Sequence, residues 1–156
     1  MRKWLALSAL IVVADQLTKY AVVRSFTAGE SLALTPFFNL VLVYNPGAAF
    51  SFLSDGAGWQ RWLFIAIALI ASAWIVWLLN RHQRQALFSL ALSLVLAGAV
   101  GNVVDRIFFG AVVDFLDFHA LGWHWPAFNV ADSAISCGAA LLVWDALRPR
   151  PVVTSK

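Results

Sequence analysis

Residues 101–136 read GNVVDRIFFGAVVDFLDFHALGWHWPAFNVADSAIS, and long apolar runs flank this stretch on both sides. Four of the eight acidic residues of the chain lie within it, namely Asp105, Asp114, Asp117 and Asp132. A charged side chain inside a bilayer costs about 2.5 kcal/mol or more and usually faces a bundle interior or a cavity. The flanking runs therefore indicate membrane-spanning helices, and the carboxylates between them are candidates for a functional site.

The composition is that of an integral membrane protein with one domain. Of the 156 residues, 62% are hydrophobic and only 12% are charged, and the mean hydropathy is +0.79. Soluble domains carry about 25% charged residues. No basic run is dense enough to follow a phosphate backbone, so we expect no nucleic-acid partner.

Four segments reach the length of about 20 mostly apolar residues that a bilayer core requires of a helix. They cover about 4–23, 62–79, 86–104 and 125–144. The second and third contain no charged residue. We predict a single all-α membrane domain over residues 1–156, built as a four-transmembrane-helix bundle, with a disordered basic tail at about 148–156.

Basic residues near the span ends predict the orientation. They are Arg2 and Lys3, then Arg81 and Arg84, then Arg148, Arg150 and Lys156. With four spans all three groups fall on one side, which is then cytoplasmic, together with both termini. The opposite side receives residues 24–61 and 107–124. The first of these connections alternates β-branched and polar residues between turn signals, so we predict a small sheet at the membrane surface between spans one and two.

The first span has a second interpretation. MRKWLALSALIVVAD has a basic start, an apolar core and a Val-x-Ala ending, which also fits a cleavable signal peptide. Asp15 and Lys19 continue the helix beyond it, four residues apart, where opposite charges meet on one face. This spacing favours a retained span.

Ionisable residues converge at the outer ends of the predicted spans. Spans one and three run outward and span four returns, so the five residues concerned lie near one surface: Asp15, Lys19, Asp105, Arg106 and Asp132. Each also has a structural explanation. Asp15 and Lys19 can simply pair, Asn102 and Asp105 can brace the following loop, and Arg106 can mark the membrane–water interface.

Asn129 and Asp132 open the fourth span. Pro126 suits the first turn of a helix, which would put Asn129 and Asp132 on one inward face. If the helix begins later, Asn129 is its N-cap and Asp132 stands at the third position, near the positive end of the helix dipole. In either case Asp132 is held at the membrane surface.

Asp114, in the loop predicted before span four, lies on the same side as Asp132. Two neighbouring carboxylates cannot both ionise cheaply, so one keeps a proton. The pair then offers a base that activates water and an acid that protonates the scissile group, with no metal or cofactor. Asp105 is a poorer partner because Arg106 and Lys19 favour its ionised form.

Three other chemistries are compatible with these residues. A proton- or ion-conducting protein would use the buried carboxylates as a relay, although they cluster at one level. Lys19 would activate Ser51 or Ser133 in a serine–lysine protease. Asp114, Asp117, His119 and His124 would bind zinc, although the HExxH pattern is absent and both histidines suit exposed loop positions better.

Five motifs, in order, cover most of the chain. They are DQLTK at Asp15–Lys19, NPGAAFSF at Asn45–Phe52, GNVVDR at Gly101–Arg106, VVDF at Val112–Phe115 and FNVADS at Phe128–Ser133. With these motifs and a four-span topology, the sequence resembles the lipoprotein signal peptidases, the signal peptidase II family.

The resemblance implies an aspartic endopeptidase of the bacterial inner membrane. Such an enzyme removes the signal peptide of a diacylglyceryl-modified prolipoprotein, before the lipidated cysteine. The catalytic pair would be Asp114 and Asp132, near the periplasmic surface, with Asp117 a bystander facing water. Eight residues would support the pair or contact the substrate: Asp15, Lys19, Asn45, Gly47, Asn102, Asp105, Arg106 and Asn129.

The resemblance also implies a β-rich periplasmic cradle over the bundle. Expected partners are membrane lipid and the cyclic peptide inhibitor globomycin. We expect a monomer.

Overall fold

A computed structural model of the chain describes residues 1–47 and 58–148. The helices are α1 (Arg2–Ser25), α2 (Trp59–His82), α3 (Ala86–Phe108) and α4 (Val130–Leu147). The strands are β1 (Ser31–Thr35), β2 (Phe38–Asn45), β3 (Val112–Ala120) and β4 (Trp123–His124). All four of these helices are long and apolar enough to cross a membrane. The predicted tail and the rest of the NPGAAFSF motif after Gly47, with Ser51, lie outside the described residues.

The fourth helix begins five residues later than predicted, at Val130 rather than Trp125. The preceding residues pair with β3 instead of starting the helix. The Trp125 amide donates to the Phe118 carbonyl oxygen at 2.8 Å, and Phe128 exchanges backbone hydrogen bonds with Leu116. Pro126 therefore lies before the helix, between two residues that pair with β3.

The strands form one antiparallel sheet in the order β1-β2-β3-β4. The predicted sheet between spans one and two is present as β1 and β2, but the observed sheet has two further strands. Residues 107–124, expected to be a loop, contribute β3 and β4. In consequence Asp114 lies in a strand, paired in register with Val43 of β2.

Helix α3 packs against the three other helices and is the most buried of them. Its contact with α4 is close because glycine stands at the crossing points. A Cβ atom at Gly98 would clash with the carbonyl oxygen of Ala131, and one at Gly138 would come within 2.7 Å of the carbonyl oxygen of Ala91. The start of α4 is thereby held against the end of α3.

Two apolar clusters fix the helices and the sheet. Ile75, Leu79, Leu92 and Leu96 join α2 to α3. Val22 of α1 packs with Leu42, Val113 and Phe115 of the sheet. Because of this second cluster, β3 lies beside the end of α1. It also contacts α3, so it lies near the ionisable residues of both spans.

Candidate active site

Asn129 connects the two carboxylates that the sequence singled out. It is fully buried and is the N-cap of α4, since its Oδ1 accepts a hydrogen bond from the Asp132 amide at 2.8 Å. Its Nδ2 donates to Oδ1 of Asp114 at 2.7 Å. The later helix start among the two alternatives is therefore confirmed, and one side chain contacts both aspartates.

Asp114 is 2% exposed, and both of its oxygens accept hydrogen bonds. Oδ1 accepts from Asn129, and Oδ2 accepts from Nδ2 of Asn45 at 3.2 Å. Burial, and then the negative charge of Asp132, raise the pKa of Asp114 to about 7, against the hydrogen bonds from Asn45 and Asn129. This carboxyl group can therefore hold a proton near neutral pH.

Asp132 stands at the third position of α4 and is partly exposed. Its Oδ1 accepts a hydrogen bond from Nδ2 of Asn102 at 2.8 Å. Its Oδ2 receives no hydrogen bond from residues 1–47 or 58–148. One oxygen of Asp132 is thus oriented by the protein, and the other is available to a water molecule or a substrate.

Behind the pair lies a buried ionic cluster. The Nζ atom of Lys19 is 2.8 Å from Oδ2 of Asp15 and 2.7 Å from Oδ2 of Asp105. It also donates to Oδ1 of Asn102 at 3.1 Å. Lys19 therefore pairs with Asp15, as the spacing suggested, and at the same time contacts a residue that binds Asp132.

Each buried aspartate of this cluster holds the backbone next to one member of the pair. Oδ1 of Asp15 accepts from the Ala131 amide at 2.8 Å. Oδ2 of Asp105 accepts from the Val113 amide at 3.0 Å. Because Ala131 and Val113 directly precede Asp132 and Asp114, the cluster sets the positions of both.

Gln16 is a member of this cluster that the sequence reasoning missed. Its Nε2 donates to Oδ1 of Asp105 at 2.9 Å, and it lies within 3.1 Å of Asp15 Oδ2 and 3.2 Å of the Gly101 carbonyl oxygen. The sequence did carry a signal for this role, because Gln16 is a neutral polar residue next to Asp15 in a mostly apolar helix.

Arg106 is buried. Its Nη2 donates to the Gly47 carbonyl oxygen at 2.9 Å, and its guanidinium lies 5.1 Å from the centre of the Phe64 ring. The Gly47 amide in turn donates to Oδ1 of Asn45 at 3.0 Å. Arg106 and Gly47 thus connect α3 to the residue that binds Asp114.

Asp117 was expected to face water, and that expectation is wrong. It is 7% exposed, accepts from Nδ2 of Asn39 at 2.8 Å and lies 2.9 Å from Nδ1 of His124. Burial opposes ionisation, but the hydrogen bonds from Asn39 and His124 lower the pKa of Asp117 overall. His119, in β3 rather than a loop, stacks on His124.

The residues proposed for the other protease chemistries do not assemble in the described part of the chain. Among residues 1–47 and 58–148, no three His, Cys, Asp or Glu side chains are arranged to hold a metal ion. The Ser133 hydroxyl donates to the Asn129 carbonyl oxygen at 2.9 Å, while Lys19 contacts Asp15, Asp105 and Asn102. The described residues instead offer the carboxyl groups of Asp114 and Asp132, which are suited to acid–base chemistry.

Comparison with known proteins finds relatives over most of the chain. A family model described as signal peptidase (SPase) II matches residues 7–148. A lipoprotein signal peptidase of Cupriavidus pinatubonensis is 61% identical over 145 residues, which are 93% of this chain and 82% of that protein. A lipoprotein signal peptidase of Burkholderia mallei is 58% identical over 145 residues, which are 93% of this chain and 87% of that protein.

Two solved structures, each titled a bacterial membrane enzyme structure by the in meso method, share the fold. The one at 2.3 Å resolution has a TM-score of 0.88 and 30% identity, over 100% of this chain and 94% of its own. The one at 1.9 Å resolution has a TM-score of 0.84 and 31% identity, over 96% of each chain.

Proposed function

The chain belongs to the signal peptidase II family, and we propose that it acts as an aspartic endopeptidase with Asp114 and Asp132 as its catalytic pair. The observation that carries the proposal is the position of Asn129. As the N-cap of α4 it fixes the backbone of Asp132, and with its amide it binds the side chain of Asp114. One residue thereby links the side chain of Asp114 on β3 to the backbone of Asp132 on α4.

The substrate that we propose is a diacylglyceryl-modified prolipoprotein, cut before its lipidated cysteine. The chain is a multi-pass bacterial membrane protein, and the distribution of basic residues supports cytoplasmic termini. The pair would then lie near the periplasmic surface of the inner membrane, where a lipid-anchored substrate arrives by lateral diffusion. We further propose that the chain forms a single domain and acts as a monomer. Globomycin is proposed to compete with the substrate for the catalytic pair.

In the first step of the proposed reaction, ionised Asp132 takes a proton from water as the water oxygen bonds to the scissile carbonyl carbon. Its Oδ2, which accepts no hydrogen bond from the described residues, suits this role. Protonated Asp114 gives its proton to the carbonyl oxygen, so a neutral diol forms and the two aspartates exchange protonation states. Asn129, Asn45 and Asn102 then stabilise and orient the carboxylates through their N–H groups.

In the second step, Asp132 gives its proton to the departing nitrogen, and the carbon–nitrogen bond breaks. Asp114 recovers a proton from a diol hydroxyl, which leaves a carboxylic acid on the signal peptide. The pair returns to its starting protonation, and one water molecule is consumed.

The direct test is cleavage of a purified diacylglyceryl prolipoprotein by the purified protein. We expect one cut, before the modified cysteine, identified by mass spectrometry. The matched control is the same precursor without the lipid, for which we expect cleavage to be reduced at least about 100-fold. Equal cleavage of both precursors would contradict the substrate proposal, and inhibition by a chelator or a serine-acylating reagent would contradict the aspartic mechanism.

The activity is expected to fall as the pH rises past neutrality. Because the pKa of Asp114 is raised to about 7, this group holds its proton below that pH and loses it above. The acid of the pair then disappears, and kcat/KM is expected to decline about tenfold per pH unit. A profile of kcat/KM against pH checks this, and a rate that stays flat from about pH 6 to about pH 9 contradicts it.

A further inference from the structure

We propose that Lys19 is a positioning residue, which fixes the amide orientation of Asn102 and through it the carboxylate of Asp132. The inference rests on the proposed function of the pair and assigns Lys19 a part in turnover beyond that of a buried ion pair. Lys19 is 2% exposed, so it acts through its neighbours rather than on a substrate.

Each N–H donor of the Lys19 ammonium group has an acceptor. An ammonium group has three N–H donors and no acceptor. The Nζ atom of Lys19 has three oxygen partners, on Asp15, Asp105 and Asn102. Because an ammonium can only meet an acceptor, the carbonyl end of the Asn102 amide must face Lys19.

The other end of the Asn102 amide must then face Asp132. Nδ2 of Asn102 donates to Oδ1 of Asp132 at 2.8 Å, and Nδ2 of Asn129 approaches Oδ1 of Asn102 at 3.4 Å. The two ends of an amide have nearly the same shape, so only hydrogen bonds distinguish them. A flipped Asn102 would present its oxygen to the Asp132 carboxylate, which would repel it.

The test must separate this role from the folding contribution of the ion pairs. Removal of Lys19 alone leaves two buried carboxylates without their shared cation, which destabilises the fold. We therefore combine Lys19→Met with Asp15→Asn. Asp15, Lys19 and Asp105 carry a net formal charge of −1, and the double variant keeps that charge on Asp105 alone. The asparagine introduced in place of Asp15 retains a carbonyl oxygen for the Ala131 amide.

The double variant is compared with Asp15→Asn alone, so that only Lys19 differs. We expect kcat to fall by about a further 100-fold, because a displaced reacting group costs this much. KM is expected to match that of the single variant. The midpoint of thermal unfolding is expected to be lower, because Asp105 loses its buried cation, so kcat is compared per folded molecule. Arg24→Met, which removes an exposed cation from the same end of α1, should leave kcat and KM as they are in the parent protein.

The pH profile supplies a readout that a structural role alone would not move. Burial and the Asp132 charge raise the pKa of Asp114, and the charge of Lys19 opposes them. Without Lys19, the decline of kcat/KM at high pH is therefore expected to move upward by about one pH unit. If the double variant is not folded, Lys19→Met with Asp105→Asn removes the same cation at the same net charge. Compared with Asp105→Asn alone, it is expected to show the same two effects per folded molecule.

The outcomes distinguish this inference from the proposed function. If the double variant has the kcat and the pH profile of Asp15→Asn, while Asp114→Asn is inactive, the positioning role of Lys19 is wrong and the catalytic pair stands. If Asp114→Asn itself turns over at the parent rate, the proposed function fails and the inference fails with it. A loss of kcat with an unmoved pH profile also overturns the inference.

Discussion

Replacing Asp114 or Asp132 with asparagine is expected to lower kcat by at least about 1,000-fold and to leave the protein folded. Asparagine keeps the size of the side chain and one acceptor oxygen, but it cannot exchange a proton at neutral pH. Each variant therefore removes either the acid or the base of the pair. Turnover of diacylglyceryl prolipoprotein and the midpoint of thermal unfolding are the measurements.

Folding should survive because ionised Asp114 is not a stabilising group at neutral pH. Burial raises its pKa to about 7, so the folded protein favours the neutral form, which asparagine resembles. The contact with Asn129 can persist through the remaining carbonyl oxygen. The new NH₂ group then faces Nδ2 of Asn45, which loses its acceptor. We therefore expect Asp114→Asn to remain folded and to unfold about 3 to 6 °C below the parent protein, roughly 1 to 2 kcal/mol.

Asp117→Asn is the matched control for this prediction. It makes the same chemical change in the same strand, at a buried aspartate whose partners are Asn39 and His124 rather than the pair. We expect this variant to keep at least about half of the parent kcat, since the loss of one hydrogen bond away from the pair costs about 1 kcal/mol of stability and removes no acid or base. Full activity of Asp114→Asn, or abolished activity of Asp117→Asn, would refute the assignment.

The helical part of the fold was predictable because a membrane-spanning helix can be identified from the composition of one continuous segment. About 20 consecutive apolar residues suffice, and α2 and α3 contain all of the predicted second and third spans. The sheet was only half predicted because its pairing is not local. Asn45 and Asp114, whose strands pair, are 69 residues apart, and a strand with two aspartates resembles a loop until its partners Asn129 and Asn39 are known.

The site was predictable in its members and not in their roles. Position at one end of the spans selected Asp15, Lys19 and Asp105, and the resemblance selected Asp114. The sequence did not show that Asp15 binds the Ala131 amide, 116 residues away, because that contact depends on how closely α4 approaches α1. The partner of Arg106 was likewise not predictable, since Gly47 is 59 residues away in the chain.

Asp105→Asn is expected to destabilise the protein by about 3 kcal/mol, seen as a fall of roughly 10 °C in the midpoint of thermal unfolding. Asp105 is 0% exposed and receives donors on both oxygens. Oδ2 accepts from Lys19 and the Val113 amide, and Oδ1 accepts from Gln16. Asparagine offers one acceptor, so its NH₂ group must oppose a donor.

The surrounding groups cannot relieve that conflict by turning. If the new amide kept its oxygen toward Lys19 and Val113, its NH₂ would face Nε2 of Gln16, which is held by the Gly101 carbonyl oxygen and Asp15. If the amide turned the other way, the Val113 amide would lose its acceptor and the backbone beside Asp114 would be released. For that reason kcat per folded molecule is expected to fall about tenfold. Asp145→Asn, a partly buried aspartate of α4 without an ion pair in the described residues, controls for the substitution. An Asp105→Asn protein as stable as this control would show that the buried cluster does not hold β3 in place.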